Sequence, residues 1–392
     1  MYDLLIKSGR VIDPAQQLDD QLDIAINGDR ITCLSKTIST TGSNQVIDAQ
    51  GKIVTPGLID SHCHVYSKQD PPGTEPDTVG INQGVTTVVD GGSAGHATLA
   101  DFKKEIANAR TTVYCLLHIG SLGQKIVPEL QNWDEIDIDA TAATIQVNRD
   151  LIRGIKIRLL GDLISREGVE VVKTAQKVAK WFNLPLVVHM GDLKKQVSPT
   201  LTKETLLLLE SGDILTHLYN SNWGGCMLND GTFLPELTQA MQRGVILDIG
   251  RGRIHFNFEV AKNGLSQGIV PNTISSDIVA PSITDRVYGL TAVMSTLLGL
   301  GLNLTQVIEM STINPARALG LADRIGSLKS GMVADISILN LLSGKWTIVD
   351  SAQKTLTLTQ LISPDSAVKS GVPVPTVPEL GVPPVAGHVF PT

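Results

Sequence analysis

The fold is decided by the stretch Pro56-Gly57-Leu58-Ile59-Asp60-Ser61-His62-Cys63-His64-Val65, an apolar run that ends in two histidines separated by one residue. On a β-strand, residues i and i+2 point to the same face, so His62 and His64 project side by side. Two neutral imidazoles placed in this way form half of a binding site for a divalent metal such as zinc. The same alternation turns Cys63 to the other face, where we expect it to pack rather than to bind metal.

The composition narrows the class of partner. With 392 residues, 42% of them hydrophobic and 18% charged, the chain suits a barrel of about 250 residues with a smaller module attached. The net charge of -7 and the absence of a long basic run argue against nucleic acid or a membrane as the main partner. The four cysteines lack Cys-x-x-Cys spacing, and no basic-then-apolar leader follows Met1. We therefore expect a cytoplasmic protein that acts on a small molecule.

Both ends of the chain predict short β-strands. Residues 2–54 hold short apolar runs separated by Gly, Asn-Gly-Asp and Asp-Pro turn signals, and a similar pattern returns near Gly326. Since short strands need a partner to bury their faces, we predict one discontinuous β-sandwich domain of residues 1–54 and 323–365. The proline-rich residues 366–392 are predicted to form an extended arm. The arm would lie on the protein or on a neighbouring subunit, and we expect a homo-oligomer.

The middle of the chain, residues 55–322, alternates apolar runs with segments that suit helices. The eight runs are Leu58–Val65, Val85–Gly92, Thr112–Gly120, Gly154–Leu160, Pro185–Gly191, Asp213–Asn220, Val245–Gly252 and Pro271–Ile278. The clearest helices are Arg166–Phe182 and Leu234–Arg243, which carry apolar residues at helical spacing. Such alternation indicates a parallel sheet covered by helices. Seven or nine units can also be defined, but eight repeats favour an α/β fold of the TIM-like (β/α)₈ barrel type.

Polar residues close several of these runs, where the functional residues of such a barrel lie. They are His62, His64, Lys156, His189, His217 and Asp277. Each alone has an ordinary explanation: a histidine can be satisfied within the core, Lys156 could form a Schiff base or a salt bridge, and Asp277 could cap a helix. Several buried polar groups at one barrel mouth are costly unless they share partners. A metal centre would provide the shared partner.

Long motifs at both ends of the barrel resemble those of a known group. Val54-Thr55-Pro56-Gly57-Leu58-Ile59-Asp60-Ser61-His62-Cys63-His64 is similar to the opening motif of the amidohydrolase superfamily. Residues 312–320 and 326–335 (Thr-Ile-Asn-Pro-Ala-Arg-Ala-Leu-Gly and Gly-Ser-Leu-Lys-Ser-Gly-Met-Val-Ala-Asp) resemble its closing motif. The resemblance covers nearly the whole chain and implies a metal-dependent hydrolase.

The resemblance also implies a ligand set. Two divalent metal ions, usually zinc, would bind. His62 and His64 would hold the first, and His189 and His217 would hold the second. Lys156, carboxylated to N6-carboxylysine, would bridge both ions. Asp277 would bind the first ion and act as the general acid/base.

Within the superfamily, the chain resembles the deacetylase-type, dihydroorotase-like branch. The resemblance lies in residues 84–95, 154–158 and 212–217. It implies removal of an acetyl or similar acyl group from a small N- or O-acylated carboxylic acid. The chain departs from the branch at Val279 and Arg251, where histidines are common, and we expect both positions to flank the pocket.

Arg158 points the same way as Lys156 on a regular strand. It would clamp a substrate carboxylate or form a salt bridge that positions loops. Tyr219, Asn220 and His118 are further candidates for substrate contacts.

Three alternatives remain open. Gly91-Gly92-Ser93-Ala94-Gly95 fits the nucleophile elbow of a serine hydrolase, with Asp192 and His217 or His255 as partners, but this leaves the His-x-His pair unexplained. A non-catalytic scaffold would be expected to lack some ligands. A cyclic amidase acting on dihydroorotate or a hydantoin is the third alternative. For a dihydroorotase, an arginine and an asparagine are expected soon after His64, where Val65-Tyr66-Ser67-Lys68-Gln69 follows.

Overall fold

The computed structural model describes residues 1–377 and 379–385. Strands from both chain ends form one eight-stranded sheet. Its strands are β1 (Tyr2–Asp13), β2 (Leu18–Asn27), β3 (Arg30–Ser35), β4 (Ser43–Asp48), β5 (Ile53–Pro56), β13 (Ile336–Val349), β14 (Thr355–Lys369) and β15 (Val372–Pro375). The order is β15-β14-β13-β5-β1-β2-β3, with β4 also paired to β1. Antiparallel pairing of β13 with β5 joins the two ends, which confirms a module built from both; its strands are hydrogen-bonded into one continuous sheet.

The predicted arm is wrong at its beginning. Residues 366–369 complete β14, and β15 pairs with them antiparallel. Two prolines are tolerated in β15 because it is the edge strand, where one side needs no backbone donors. Ala367 and Val374 are buried against Ile81, so the start of the arm is tied down by packing. Residue 378 and residues 386–392 of the predicted arm lie outside the described residues, and the homo-oligomer stays a prediction.

The second sheet is the parallel wall of a barrel. Its strands are β6 (Leu58–Cys63), β7 (Val85–Asp90), β8 (Thr112–His118), β9 (Ile152–Arg158), β10 (Leu186–His189), β11 (Ile214–Thr216) and β12 (Ile246–Asp248). Each is hydrogen-bonded in parallel to the next along the chain. Seven of the eight predicted runs are therefore strands of one sheet, in the predicted order.

Helices fill the connections. They are α1 (Pro76–Val79), α2 (Leu99–Ile106), α3 (Ile138–Val147), α4 (Asp162–Glu167), α5 (Val169–Trp181), α6 (Thr200–Leu208), α7 (Pro235–Arg243), α8 (Phe258–Ser266), α9 (Leu290–Gly299), α10 (Leu304–Glu309) and α11 (Ile313–Ala318). The two helices predicted most clearly are α5 and α7. Within the described residues, none of the helices is both long and apolar enough to cross a bilayer.

The eighth run closes the barrel without forming a regular strand. On one side, the amide of Ile249 donates to Thr273 O (3.2 Å). On the other side, the amide of Asp277 donates to His62 O (2.6 Å) and the amide of His64 donates to Ile278 O (2.9 Å). Asp277 has a φ of 50°, which breaks the extended conformation. The predicted (β/α)₈ closure is thus achieved by an irregular segment, residues 273–278, between β12 and β6.

The sheet module packs directly on the barrel. The buried helix α9 lies against β14, where the amide of Ile362 donates to Ser295 Oγ (2.9 Å). At the entrance to the barrel, the amide of Leu58 donates to Ser337 Oγ (3.0 Å). These contacts fix the position of β6, which carries the two histidines, relative to the module.

Candidate metal centre

The six residues predicted to bind metal come together at the carboxyl ends of the barrel strands. A cavity of about 300 Å³ opens there, and its wall includes His62, His64, Lys156, His189 and Asp277. His217 lies directly behind that wall, with its ring centroid 4.2 Å from the His189 ring. The five basic residues of the set are buried, and 11% of the Asp277 side chain is exposed.

A hydrogen-bonded relay fixes the ring of His64. Its Nδ1 lies 2.8 Å from Ser93 Oγ, and that hydroxyl donates to Asp90 Oδ2 over 2.7 Å. A hydroxyl has one proton, so Ser93 accepts from Nδ1–H, and His64 Nε2 keeps its lone pair. Ser93 is fully buried, and its hydroxyl is used in the hydrogen bonds to His64 and Asp90. The structure therefore makes Ser93 a partner of a histidine and does not support the serine-hydrolase alternative.

The same kind of relay fixes His62. Its Nδ1 lies 3.1 Å from Thr216 Oγ1, which donates to Asp248 Oδ2 over 2.7 Å. In His217, Nδ1 lies 2.6 Å from the carbonyl oxygen of Gly250, which can only accept. All three rings consequently carry their proton on Nδ1 and keep a lone pair on Nε2. Partners of this kind orient histidines toward metals in known sites.

His189 and His217 carry nitrogens that lack a protein partner. The Nε2 atoms of both rings are buried and make no hydrogen bond within the described residues. Leaving a buried polar atom unpaired costs roughly 1–3 kcal/mol. Burial, reinforced by the neighbouring basic groups, lowers the pKa of both rings well below the ordinary value, so both are neutral. A metal ion would satisfy both nitrogens at once.

Asp277 faces the histidines from the closing segment. Its Oδ1 lies 3.1 Å from His64 Nε2 and 3.4 Å from His62 Nε2, and its Oδ2 lies 3.1 Å from His255 Nδ1. Burial alone would raise the pKa of Asp277, but His62, His255 and His64 outweigh it and hold the pKa well below the ordinary value. One oxygen of Asp277 and one nitrogen from each of His62 and His64 lie within 4.8 Å of one another. These three side chains form an anionic cluster that suits a divalent cation.

Lys156 lies between the two groups of histidines. Its Nζ is 3.1 Å from His62 Nε2, and the side chain is fully buried. Burial lowers the pKa of Lys156 to about 8, with Arg158 acting in the same direction and Asp277 opposing it. At pH 7 about a tenth of the side chain is therefore the neutral amine, far more than for an ordinary lysine.

Arg158 lines the cavity beside Lys156 and is held by a buried carboxylate. Its Nη1 lies 3.3 Å from Glu129 Oε1, and His118 Nε2 lies 3.5 Å from the same oxygen. Burial would raise the pKa of Glu129, but Arg158 and His118 lower it to about 2. Arg158 Nε has no hydrogen-bond partner among the described residues. The salt bridge predicted as one alternative is present, and Nη1 also donates to Gln124 Oε1 (3.4 Å) of the cavity wall.

Three predicted substrate contacts lie outside the cavity wall. The buried Tyr219 hydroxyl donates to Ile269 O (2.5 Å), and Asn220 Nδ2 donates to His217 O (2.7 Å). His118 Nδ1 accepts the amide of Gly120 while its Nε2 faces Glu129. None of these three side chains lines the cavity, and their contact with a substrate stays a prediction.

Of the two departures from the branch pattern, one flanks the pocket. Val279 lines the cavity. Arg251 does not: it is 1% exposed, and its Nη2 donates to Val349 O of β13 (2.7 Å). Expecting Arg251 at the pocket was wrong, because its side chain turns into the interface between the barrel and the sheet module.

Sequence reasoning missed several residues of the site. Thr216 is hydrogen-bonded to His62, and Glu129 forms the salt bridge with Arg158. His255 and Arg253 line the cavity from the loop after β12. His255 entered the sequence interpretation only as a partner for Ser93. No periodicity determines where a loop side chain points, so its histidine identity was the only available signal.

Comparisons with known proteins identify the family and the fold. The model of the amidohydrolase family matches residues 53–373. A deacetylase of Agrobacterium fabrum is 32% identical over 351 residues, which span 88% of this chain and 85% of that protein. Crystal structures of an adenine deaminase (TM-score 0.89, 30% identity) and a dihydroorotase (TM-score 0.85, 29% identity) each cover 96% of this chain. The alignments take in 100% and 99% of those two chains.

Replacing Ser93 tests the relay behind His64. Ser93→Ala removes the acceptor of Nδ1–H, and we expect metal affinity to fall about 10–100-fold, as is usual when a ligand histidine loses its partner. Chelator competition measures the affinity, and saturating metal should restore most of the rate. Ser121→Ala, which removes a hydroxyl bonded to Glu135 O outside the cavity, is the control. An enzyme that stays inactive in saturating metal would indicate a nucleophilic serine instead.

Proposed function

The chain belongs to the amidohydrolase family and is a hydrolase, and from this premise we propose that it is a metal-dependent deacetylase. Its substrate would be a small carboxylic acid that carries an acyl group on nitrogen or oxygen. The observation that carries the proposal is one cavity in which four ligand side chains, Lys156 and an uncommitted arginine edge converge.

The side chains present fit the divalent metal ions that the family uses. Nε2 lone pairs on His62, His64 and His217 point away from their relays, and two buried nitrogens lack partners among the described residues. Imidazoles with one carboxylate suit zinc better than calcium or magnesium. We assign His62, His64 and Asp277 to one zinc ion and His189 and His217 to a second. When bound, such ions supply a hydroxide-like nucleophile at neutral pH.

Lys156 would join the two ions as N6-carboxylysine. An ammonium group cannot bind a cation, whereas a carbamate offers two oxygens. The neutral amine adds to carbon dioxide, forming the N–C bond of the carbamate and releasing one proton. The lowered pKa of Lys156, about 8, favours the amine that reacts. Its position 3.1 Å from His62 Nε2 supports a role as a shared ligand.

Asp277 would carry the proton during hydrolysis. Its carboxylate is anionic and lines the cavity, so it can accept a proton from the attacking water. Returning that proton to the leaving nitrogen or oxygen completes the cleavage of the acyl bond. The contact of Oδ2 with His255 Nδ1 keeps the carboxylate turned toward the cavity.

Substrate choice would rest on Arg158. Glu129 holds one edge of its guanidinium, and a carboxylate of the substrate would bind to the remaining nitrogens. The rest of the cavity wall includes Val127, Ile254 and Val279, which suit a small apolar group. A volume of about 300 Å³ admits a molecule of amino-acid size rather than a polymer.

A cyclic amidase is the second candidate, favoured by the similarity to the dihydroorotase structure. A substrate screen separates the two candidates. It compares acetate release from N-acetyl amino acids and O-acetyl hydroxy acids with ring opening of dihydroorotate and hydantoins. Deamination of adenine is measured as a third reaction. We expect acetate release only from acylated acids. Ring opening or adenine deamination without acetate release would overturn the deacetylase assignment, and no turnover with bound metal would favour the scaffold.

Asp277→Asn isolates proton transfer from metal binding. The amide keeps an oxygen for the metal but cannot accept the proton, so turnover should fall about 10²–10⁴-fold with most of the metal retained. Rate and metal content are measured on the same preparation. Asp162→Asn, at an exposed carboxylate of α4, is the control. A variant that retains near-normal turnover would refute the role of Asp277.

Lys156→Ala removes the proposed bridge. Metal retained after dialysis should drop below two ions per chain, and the rate should fall more than about 100-fold, because both ions lose a direct ligand. In the unmodified protein, loading with metal in carbon-dioxide-free buffer should lower activity, and bicarbonate should restore it. The exposed Lys173→Ala serves as the control. Full metal content and rate in Lys156→Ala would exclude the bridge.

Arg158→Lys tests the clamp without leaving Glu129 unpaired. Lysine keeps the charge but loses the planar fork, so KM for a carboxylated substrate should rise about tenfold, equivalent to roughly 1.4 kcal/mol. KM for the matching uncharged amide should change little. Arg253→Lys, at an arginine of the same cavity wall that pairs with Asp285, is the control. Equal effects of Arg158→Lys on both substrates would place the carboxylate elsewhere.

A further inference from the structure

Among the described residues, His255 is the one histidine of the cavity wall that the ligand set above does not use. It lies in the loop between β12 and α8, is 8% exposed and lines the cavity. Its ring centroid is 4.0 Å from that of His217 and 4.8 Å from that of His189. One nitrogen from each of these three rings lies within 4.8 Å of the other two.

The conformation of the loop between β12 and α8 brings His255 close to His189 and His217. Gly250 and Gly252 both have positive φ, at 46° and 47°. A Cβ on Gly252 would lie 2.4 Å from Asp277 Oδ2 and 2.8 Å from His255 Nδ1, so a larger residue is excluded there. Arg251 anchors the loop to Val349 O, and the amide of Asn257 donates to Tyr219 O (2.9 Å). His255 is thus held in place from both sides of the loop.

The second metal position, as assigned above, has only two histidines apart from the bridge. Catalytic zinc sites usually have three protein ligands and one open position. The buried Nε2 atoms of His189 and His217, which lack partners among the described residues, independently indicate a ligand at this place.

We propose that His189, His217 and His255 form a three-imidazole site that holds one divalent ion of the zinc class without help from Lys156. The inference rests on the proposed function only in taking His189 and His217 as ligands. It adds a direct ligand from the β12–α8 loop. In consequence, the second ion depends on this loop, and the carbamate bridge strengthens a site that the histidines already define.

Metal titration of variants tests the proposal without relying on activity. Co²⁺ is titrated against a competing chelator, and its visible absorption reports ligand number. His255→Ala should weaken the second ion at least tenfold and the first ion by less, because Asp277 loses its hydrogen bond to His255 but remains a ligand. Lys156→Ala should still bind an ion at the three histidines, and Lys156→Ala/His255→Ala should lose it. His96→Ala, at a half-buried histidine outside the cavity, is the control.

The outcomes separate this inference from the proposed function. If His189→Ala weakens the second ion but His255→Ala leaves the affinity of the second ion within twofold, the inference is wrong. A change in the first affinity alone would then show that His255 only positions Asp277. If neither substitution changes metal binding, the proposed function fails as well. His255→Gln, which preserves a hydrogen bond to Asp277, replaces His255→Ala should the alanine variant not fold. A tenfold weakening in His255→Gln supports ligation, and unchanged affinity contradicts it.

Discussion

The backbone hydrogen bonds of residues 273–278 hold the site together. They join β12 to β6 and bring Asp277 into contact with His62 and His64, which are distant in sequence. Asp248 strengthens this closure, because its carboxylate accepts from the hydroxyls of Thr273 and Ser275. The same carboxylate accepts from Thr216, the partner of His62. Barrel closure and the orientation of His62 therefore depend on one buried side chain.

The chemistry follows from how the buried imidazoles are satisfied. Each relay uses up an Nδ1 proton on a hydroxyl or carbonyl and leaves Nε2 facing inward. Without a cation, the mouth of the barrel would bury several nitrogen lone pairs beside the anionic Asp277. Each unpaired atom would cost roughly 1–3 kcal/mol. In the proposed metal centre, the same atoms would serve as ligands of the bound cations. Arg158 lies outside this set, held by Glu129, and is suited to select a negatively charged substrate.

Much of this was predictable because periodic elements constrain side-chain direction. Alternation along β6 and β9 predicts the face on which His62, His64 and Lys156 lie, and the order of strands brings His189 and His217 beside them. Regular spacing failed where the backbone is irregular. Asp277 was found, but its left-handed conformation and the loss of a regular eighth strand were not. The edge strand β15 was missed because its prolines are acceptable only where one side of the strand lacks a neighbour.

Loop side chains and buried polar residues were the least predictable. Tyr219 and Asn220 follow His217 in sequence, yet the chain turns there and their polar atoms bond within the wall. Arg251 was expected near substrate, whereas only tertiary packing shows that it reaches β13. His255 was not predicted to belong to the metal centre, because it lies in a loop. The structure nevertheless places it beside Asp277. In each case the direction of the side chain depends on contacts distant in sequence.

The most direct test of a two-metal centre is an anomalous-difference map at the zinc absorption edge, from crystals grown with zinc and bicarbonate. The account predicts two peaks at the barrel mouth. One lies among His62, His64 and Asp277, the other beside His189 and His217, and density for a carbamate on Lys156 Nζ lies between them. A mouth without zinc, or a single peak beside an unmodified Lys156, would contradict it.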